Sequence, residues 1–297
     1  MKRQLLSLFA AIVLPLALAA QIQTPAPSPL CKMEQMVGLT KVTLEYSRPG
    51  VKERVIFAED GLVPFGKMWR TGANKNTIIG FSDDVKIEGN ELKAGEYALF
   101  TVPGADLWEV IFYTDTNNWG TPQNWDDSKV AARFKVQPQT SSHHFENMLI
   151  GLDNLRDASA TLFLAWDKTY LPMKLEVDTD TKVMASIQQV MGGPSRGDYY
   201  AAARYYYDSG KDLQQALEWV RKANEIEEKY WQKRLEAEIL ADMGKYIDAI
   251  AAAERSKELA AEAGNEGYVR RNEKSIAEWR AKLKEKATMK KESKSEK

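Results

Sequence analysis

The chain has 297 residues, of which 41 are Lys or Arg and 42 are Asp or Glu, so its formal net charge is −1. A hydrophobic fraction of 44% and a charged fraction of 28% are typical of a soluble globular protein, and the length predicts two modules plus tails. This balance excludes a global basic field that would attract nucleic acid and an acidic excess that would attract basic partners.

Residues 1–20 have the pattern of a secretory signal. Lys2 and Arg3 precede an apolar core, residues 5–18, and small residues follow at 17–20. An uncleaved membrane anchor is the alternative, but Pro15 and the alanine-rich end favour cleavage. We therefore expect an exported protein of a Gram-negative envelope, periplasmic or secreted, with no membrane span after cleavage.

Residues 21–30 form a proline-rich polar segment that is typical of a flexible tether. Cys31, the single cysteine, follows it, so no intramolecular disulfide can form. The residues before Cys31 do not resemble a lipid-anchor site, and we interpret it as a linker thiol at the edge of the first domain.

Residues 31–178 are predicted to form a β domain. Short β-branched or aromatic runs alternate with turn-forming pairs such as Gly89-Asn90 and Pro103-Gly104, and no amphipathic helix separates them. This pattern favours an antiparallel β-sandwich or barrel and excludes a parallel α/β fold, whose crossovers need helices. The predicted strands are residues 41–47, 54–57, 77–81, 85–87, 96–102, 108–113, 133–136, 145–152, 161–166 and 170–177.

Residues 179–194 are predicted to form a short helix and a hinge, because Gly192-Gly193-Pro194 ends the helical pattern. Residues 195–286 are helical in pattern throughout. Residues 287–297 are mainly Lys, Glu and Ser with no apolar periodicity, which predicts a disordered, solvated tail.

An internal repeat is visible in the helical region. Gly210 is followed by Ala216-Leu217, and Gly244, 34 positions later, is followed by Ala249-Ile250. This period resembles that of tetratricopeptide repeats, although the first unit has one extra residue and the closing proline is absent. The alternative is a plain α-hairpin bundle that only packs on the β domain.

No motif with a known catalytic, metal-binding or cofactor-binding mechanism is present, so we expect no cofactor and no metal. The only histidines are His143 and His144. On an extended strand these neighbours would point to opposite faces and could not readily hold one metal ion.

Residues 46–74 are the strongest candidate for a functional surface. They combine Arg48, Arg54 and Arg70 with several turn-forming residues, and Trp69 and Asn74 flank a Gly-Ala turn. Planar guanidinium groups suit carboxylates and phosphates, so converging arginines would form an anion pocket. The alternative is internal ion pairing, and Asn74 could cap a turn instead of contacting a ligand. The carboxylates considered as internal partners are Glu45, Glu53, Glu59, Asp60 and Glu109.

Trp119 and Trp125 lie on one turn-rich loop around Pro122. Exposed indoles would form a binding surface for a sugar or an apolar side chain, because they offer large contact area at small entropic cost. Alternatively, both rings fold inward to cover an open end of the sandwich, which is the interpretation that we favour.

Several motifs of the β domain occur in the order found in a known family. They are Tyr46-Ser47-Arg48-Pro49, Lys52-x-Arg54-x-Ile56-Phe57, Leu62-Val63-Pro64-Phe65-Gly66, Trp69-Arg70-Thr71-Gly72-Ala73-Asn74, Leu92-x-Ala94-Gly95-x-Tyr97 and Trp108-x-Val110-Ile111-Phe112. Residues 29–177 thereby resemble a bacterial family of domains of unknown function, DUF 2911, found in exported envelope proteins. One departure is Ala58, where the family tends to have glycine. The resemblance implies the domain layout and the compartment, and no activity.

The leading hypothesis is an exported, non-catalytic binding protein of the envelope. Its β domain would hold an anionic or carbohydrate ligand through Arg48, Arg54, Trp69, Arg70, Asn74 and Trp119, and its helical repeats would dock a protein partner. One alternative is a hydrolase of envelope polymers that uses paired carboxylates among Glu96, Glu109 and Asp126. Another is a structural assembly protein whose arginines are all paired internally.

Overall fold

A computed structural model describes residues 24–295 and divides the chain into two compact units. Thr179 closes the first unit and Asp180 opens the second. The first unit contains the β-strands and the second contains helices, which confirms the predicted class of an antiparallel β domain followed by an α-helical module.

The first unit is built from two main antiparallel sheets. The six-stranded sheet has the order β1-β2-β5-β8-β9-β10, and its strands are Leu30–Val37, Thr40–Ser47, Ala73–Phe81, Gly95–Val102, Trp108–Tyr113 and Val130–Val136. The four-stranded sheet has the order β11-β12-β6-β7, and its strands are Gln139–Asp153, Ser159–Val177, Val85–Ile87 and Asn90–Leu92. A short parallel pair joins β3, Phe57–Ala58, to β4, Val63–Pro64.

Both main sheets contribute to one hydrophobic core. Along β2, Val42, Leu44 and Tyr46 are buried while the residues between them are more exposed, which is the period-two pattern that the sequence predicts. Leu162 and Leu164 on β12 belong to the same buried cluster. The unit is therefore a two-layer sandwich whose inner faces meet.

Three parts of the strand prediction are wrong. Strand β1 occupies Leu30–Val37, a segment in which we predicted no strand. Residues 161–177, predicted as two strands, belong to the single strand β12. The predicted strand at 54–57 is mostly a loop, because Lys52 and Glu53 just before it adopt positive φ angles of 47° and 59°.

The second unit consists of helices that pack on their neighbours. They are α1 Thr179–Val190, α2 Arg196–Asp208, α3 Leu213–Ile226, α4 Tyr230–Asp242, α5 Tyr246–Glu262 and α6 Glu266–Ser295. Of the helices that the structure describes, none combines the length and the apolar character that a membrane span requires.

Helix α1 belongs with the helices that follow it. Asp180 accepts a 2.7 Å hydrogen bond from the Tyr205 hydroxyl and forms a 2.7 Å ion pair with Lys211. These contacts place the unit boundary at Thr179, so the predicted hinge at 192–194 lies inside the second unit. The predicted end of the helix is confirmed, since α1 stops at Val190 just before that segment.

The repeated glycines end corresponding helices. Gly210 follows α2 and Gly244 follows α4, with positive φ angles of 64° and 74° that suit glycine at a helix end. Helix α6 continues through Ser295, over positions 287–295 where composition predicts disorder. Lys, Glu, Ala and Met are strong helix formers, and a preceding helix supplies the nucleus that a tail alone lacks.

Candidate functional site

A pocket of about 320 Å³ opens on the first unit beside the arginine-rich stretch. We call it the Trp69 pocket. It is formed by the loop after β2, by β4, by the turn that enters β5 and by one side chain of β12. Its lining residues are Pro27, Ser28, Pro49, Gly50, Lys52, Arg54, Leu62, Val63, Trp69, Arg70, Gly72, Ala73 and Trp166.

The first wall of the pocket is the loop of residues 50–54. Arg54 folds back on it, donating from Nη2 to the Gly50 carbonyl at 2.6 Å and from Nε to the Val51 carbonyl at 3.0 Å. From outside the loop, Glu146 on β11 accepts a 3.0 Å hydrogen bond from the Lys52 amide. Lys52 and Arg54 thus lie on a loop whose backbone is hydrogen-bonded to the Glu146 carboxylate.

The second wall is the turn of residues 69–74, whose backbone is unusual. Thr71 is fully buried and has a φ of 54°, which is rare for a β-branched residue. Its hydroxyl lies 3.1 Å from that of Thr101, and its carbonyl accepts a 2.5 Å hydrogen bond from Thr77. Strain of this kind persists only where the surroundings enforce it, and it is concentrated at functional sites.

Two indoles form the apolar side of the pocket. The rings of Trp69 and Trp166 stack with centroids 5.8 Å apart and an interplanar angle of 21°. Trp69 is held in place because its Nε1 donates a 3.0 Å hydrogen bond to the Gly72 carbonyl. Trp166 is only 1% exposed, so its ring belongs to both the core and the pocket.

The charged residues that line the Trp69 pocket are all basic. Lys52, Arg54 and Arg70 line it, and none of its described lining residues is acidic. Arg70 Nε and Trp166 Nε1 are buried donors without a hydrogen-bond partner among residues 24–286. Leaving a buried donor unpaired costs about 1 to 3 kcal/mol, so these two atoms mark local strain in residues that also line the pocket.

The structure brings together three of the six predicted site residues, Arg54, Trp69 and Arg70. Arg48 lies outside the pocket and donates from Nε to the Met148 carbonyl at 2.8 Å. Asn74 also lies outside it, and its Nδ2 donates to the Ser47 hydroxyl at 3.1 Å. These two side chains join strands of the sandwich.

The loop tryptophans differ from each other. Trp125 covers the outer face of the six-stranded sheet, where it stacks on Tyr113 with centroids 4.4 Å apart and meets Phe100 edge-on. Trp119 is 80% exposed and does not line the Trp69 pocket. Trp125 therefore packs inward, but on a sheet face and not over an open end of the sandwich, whereas Trp119 does not pack inward. Its neighbour Gly120 approaches Arg70, since a Cβ there would lie 3.8 Å from Arg70 Nη1.

The proposed carboxylate partners of the arginines are not used. Within residues 24–286, no ion pair involves Arg48, Arg54 or Arg70. Glu45, one of those partners, pairs with Lys32 at 2.9 Å instead. The contacts of Arg48 and Arg54 are to backbone carbonyls, which leave the full positive charge uncompensated.

Sequence reasoning missed Lys52 and Trp166 as pocket residues. Lys52 reads as one surface lysine among many, and Trp166 lies about a hundred positions from the rest of the site. The period-two pattern around Trp166 does predict that it faces the core, but it gives no information on which loop lies over it.

The carboxylates of the hydrolase hypothesis lie on different elements. Glu96 is on β8 and lines a groove of about 570 Å³ on the outer sheet face together with Glu34 and Glu45. Glu109 is on β9. Asp126 caps a short 3-10 turn, where hydrogen bonds from the Ser128 hydroxyl and amide lower the pKa of its carboxyl.

His144 is flanked by two carboxylates on the strand edge. Its Nδ1 lies 2.9 Å from Asp167 Oδ1, and its Nε2 lies 3.4 Å from Glu146 Oε2. His143 instead stacks edge-on with Phe145. In the part of the chain that the structure describes, no group of three or more His, Cys, Asp or Glu residues could hold a metal ion.

Comparison with known families identifies the first unit. Residues 28–175 match the family described as Protein of unknown function (DUF2911). This unit is a DUF2911 domain. The match includes every residue that lines the Trp69 pocket except Pro27. No curated protein and no solved structure matches the chain.

Proposed function

We propose that the DUF2911 domain binds a small anionic ligand, with a carboxylate or phosphate group, in the Trp69 pocket. The observation that carries this proposal is a pocket lined by three cations, Lys52, Arg54 and Arg70, with no acidic residue among its described lining. Guanidinium and ammonium groups form charge-assisted hydrogen bonds with carboxylates and phosphates, and these are stronger than neutral ones.

The volume and lining of the pocket also indicate the size and the polarity of the ligand. Its volume of about 320 Å³ fits a small molecule, at the lower end of common ligand pockets. Trp69 and Leu62 provide an apolar surface beside the charges. A ring that is apolar on one face and carries an acid group, as in a sugar acid, satisfies both sides of the pocket.

We further propose that the protein is exported to the envelope and that its helical unit docks a protein partner. Side chains connect α2 to α4 and α4 to α6, as in the Arg204 to Glu238 ion pair at 3.5 Å and the Arg234 to Asn272 hydrogen bond at 3.2 Å. These alternate helices therefore lie side by side. In repeat arrays such a row forms the extended surface that receives a peptide or helix.

Isothermal titration calorimetry tests the ligand proposal. The ligands are D-glucuronate and inorganic phosphate, with glucose as the uncharged control. We expect glucuronate to bind at least about tenfold more tightly than glucose, and Arg70→Gln to lose about tenfold in affinity. The control is Arg133→Gln on β10. It removes a guanidinium that pairs with Asp127 and should leave the affinity unchanged. Equal binding of glucose, or unchanged binding by Arg70→Gln, would contradict the proposal.

The docking proposal is tested by site-specific photo-crosslinking in the full chain. A crosslinker at position 204 on α2 lies in the proposed surface, and one at position 218 on α3 lies outside it, with both native side chains about half exposed. We expect position 204 alone to capture a discrete envelope protein. Equal capture from both positions, or none, would contradict docking on this surface.

A further inference from the structure

Strand β1 is an edge of the six-stranded sheet and offers a full row of backbone groups. Its register with β2 pairs Leu30 with Ser47 and Val37 with Thr40, and the Pro29 carbonyl accepts a 2.9 Å hydrogen bond from the Arg48 amide. Backbone groups of odd-numbered residues therefore point toward β2. Those of the even-numbered residues point to the open side, since successive residues of a strand alternate in direction.

We infer that β1 pairs antiparallel with β1 of a second copy of the chain, which extends the sheet across a two-fold axis. The axis passes through Met33, so that Leu30 lies opposite the second copy's Met36 and Lys32 lies opposite its Glu34. In this register the even-numbered residues of the two strands face each other and exchange hydrogen bonds. The same contacts occur twice because the interface is symmetric.

The side chains of β1 are complementary to themselves in this register. Lys32 and Glu34 have 66% and 63% of their side-chain surface exposed, and pairing brings opposite charges together at both positions. Leu30 and Met36 are 58% and 47% exposed, which is high for apolar side chains on a strand. The two-fold pairing covers each of them with the other.

The present partners of these charges do not prevent the pairing. Lys32 forms a 2.9 Å ion pair with Glu45, and Glu34 forms a 3.5 Å ion pair with Lys41, both on the neighbouring strand β2. Exposed ion pairs contribute little stability, so each charge can face a second partner at small cost.

The other sheet edges do not share these properties. Strand β10 exposes Arg133 and Lys135, so two-fold pairing near its centre would place like charges opposite each other. Strand β11 is covered where the Val51 amide donates to the Glu146 carbonyl at 2.7 Å and the Met148 amide donates to the Pro49 carbonyl at 2.9 Å. Strand β7 has only 3 residues. The self-complementary edge is β1.

Charge reversal tests the register in the full-length purified protein by sedimentation velocity over a dilution series. We expect a reversible dimer that Lys32→Glu and Glu34→Lys each weaken about tenfold, because each variant places like charges opposite at both symmetric positions. An equimolar mixture of the two variants should associate again as a heterodimer, since an acidic side chain at position 32 of one copy then faces a basic side chain at position 34 of the other. Recovery in the mixture also shows that both variants are folded.

The control is Lys86→Glu, which changes the net charge equally at an exposed lysine of β6 that pairs with Glu91. It should dimerise like the unmodified protein. The inference is overturned by a monomer at every concentration, by dissociation of Lys86→Glu to the same extent, or by failure of the mixture to associate.

Disulfide trapping tests the position of the axis, in a Cys31→Ser background. Met33→Cys should form an intermolecular disulfide under mild oxidation, because the axis sets the two Cα atoms about 4.5 Å apart. Gln35→Cys is the matched control on the same face of the strand, and its two copies would be about 13 Å apart. Crosslinking of both variants, or of Gln35→Cys alone, overturns the proposed register.

Discussion

The backbone amide of Lys52 donates a 3.0 Å hydrogen bond to Oε1 of Glu146, which lies 94 positions further along the chain. The Val51 amide donates to the carbonyl of the same glutamate at 2.7 Å. Glu146 thus fixes a loop with two successive positive φ angles, at Lys52 and Glu53, which β11 alone would not determine. Glu146 therefore contacts the loop that carries two cations of the Trp69 pocket, Lys52 and Arg54, through both its backbone and its side chain.

Acid should weaken the hold of Glu146 on the loop. The hydrogen bond from the Lys52 amide, with that from His144, lowers the pKa of the Glu146 carboxyl. Because the folded-state pKa is lower than the unfolded one, this stabilisation is present above the usual pKa of glutamate and is lost as the pH falls through the folded-state value. We expect the NMR proton shift of the Lys52 amide to move upfield with a midpoint below that of an ordinary glutamate.

Glu146→Gln is the control for this titration. The amide oxygen can still accept from Lys52, but it carries no charge to titrate, so the Lys52 shift should be flat through the acid range. A Lys52 shift that titrates identically in Glu146→Gln would show that another group governs the loop.

Tyr46 connects the two sheets of the DUF2911 domain. Its hydroxyl donates to the Ile150 carbonyl at 2.9 Å and accepts from the Ile150 amide at 3.0 Å, and burial raises its pKa to about 12. Tyr46→Phe leaves both backbone groups of Ile150 without this partner. We expect a loss of about 1 to 3 kcal/mol in the free energy of unfolding, measured by urea denaturation at neutral pH.

The same residue predicts an alkaline effect. A folded-state pKa above the unfolded value of about 10 means that the contribution of Tyr46 is fully present below pH 10 and is lost as the pH rises toward about 12. The difference in stability between the protein and Tyr46→Phe should therefore shrink over this interval. A constant difference across it would contradict the assignment.

Truncation of Trp125 should lower the stability of the protein, whereas truncation of Trp119 should leave it nearly unchanged. Trp125→Ala removes the ring that covers Tyr113 and Phe100, and we expect it to cost about 2 to 3 kcal/mol of unfolding free energy. Trp119 is 80% exposed, so Trp119→Ala should change stability by less than about 0.5 kcal/mol. Thermal unfolding of the two variants checks this, and equal losses would mean that Trp119 packs inward in solution.

Local patterns predicted most of the fold. The alternation of Val42, Leu44 and Tyr46 predicts β2, and Gly192-Gly193-Pro194 predicts the end of α1. Strand β1 was missed because Lys, Met, Glu and Gln have weak β propensity, although they alternate in period two. Its pairing with β2 decides its conformation, and propensity does not include such tertiary effects.

The site was predictable only in part, for a physical reason. Arg54, Trp69 and Arg70 lie close together in one turn-rich stretch of the sequence, and this clustering identified them as candidate site residues. Trp166 reaches the pocket through the register of β12, and Lys52 through a loop conformation that Glu146 enforces. Long-range contacts of this kind have no signature in a single sequence.

The most direct test of anion binding is the NMR signal of the Trp166 indole N–H. Trp166 lines the Trp69 pocket and its Nε1 has no partner within the described part of the chain, so its N–H signal should respond to a ligand bound in the pocket. Trp166→Phe assigns the signal among the 8 tryptophans. We predict a saturable downfield shift of this proton on addition of D-glucuronate and none with glucose. An unchanged Trp166 signal at saturating glucuronate would contradict the account.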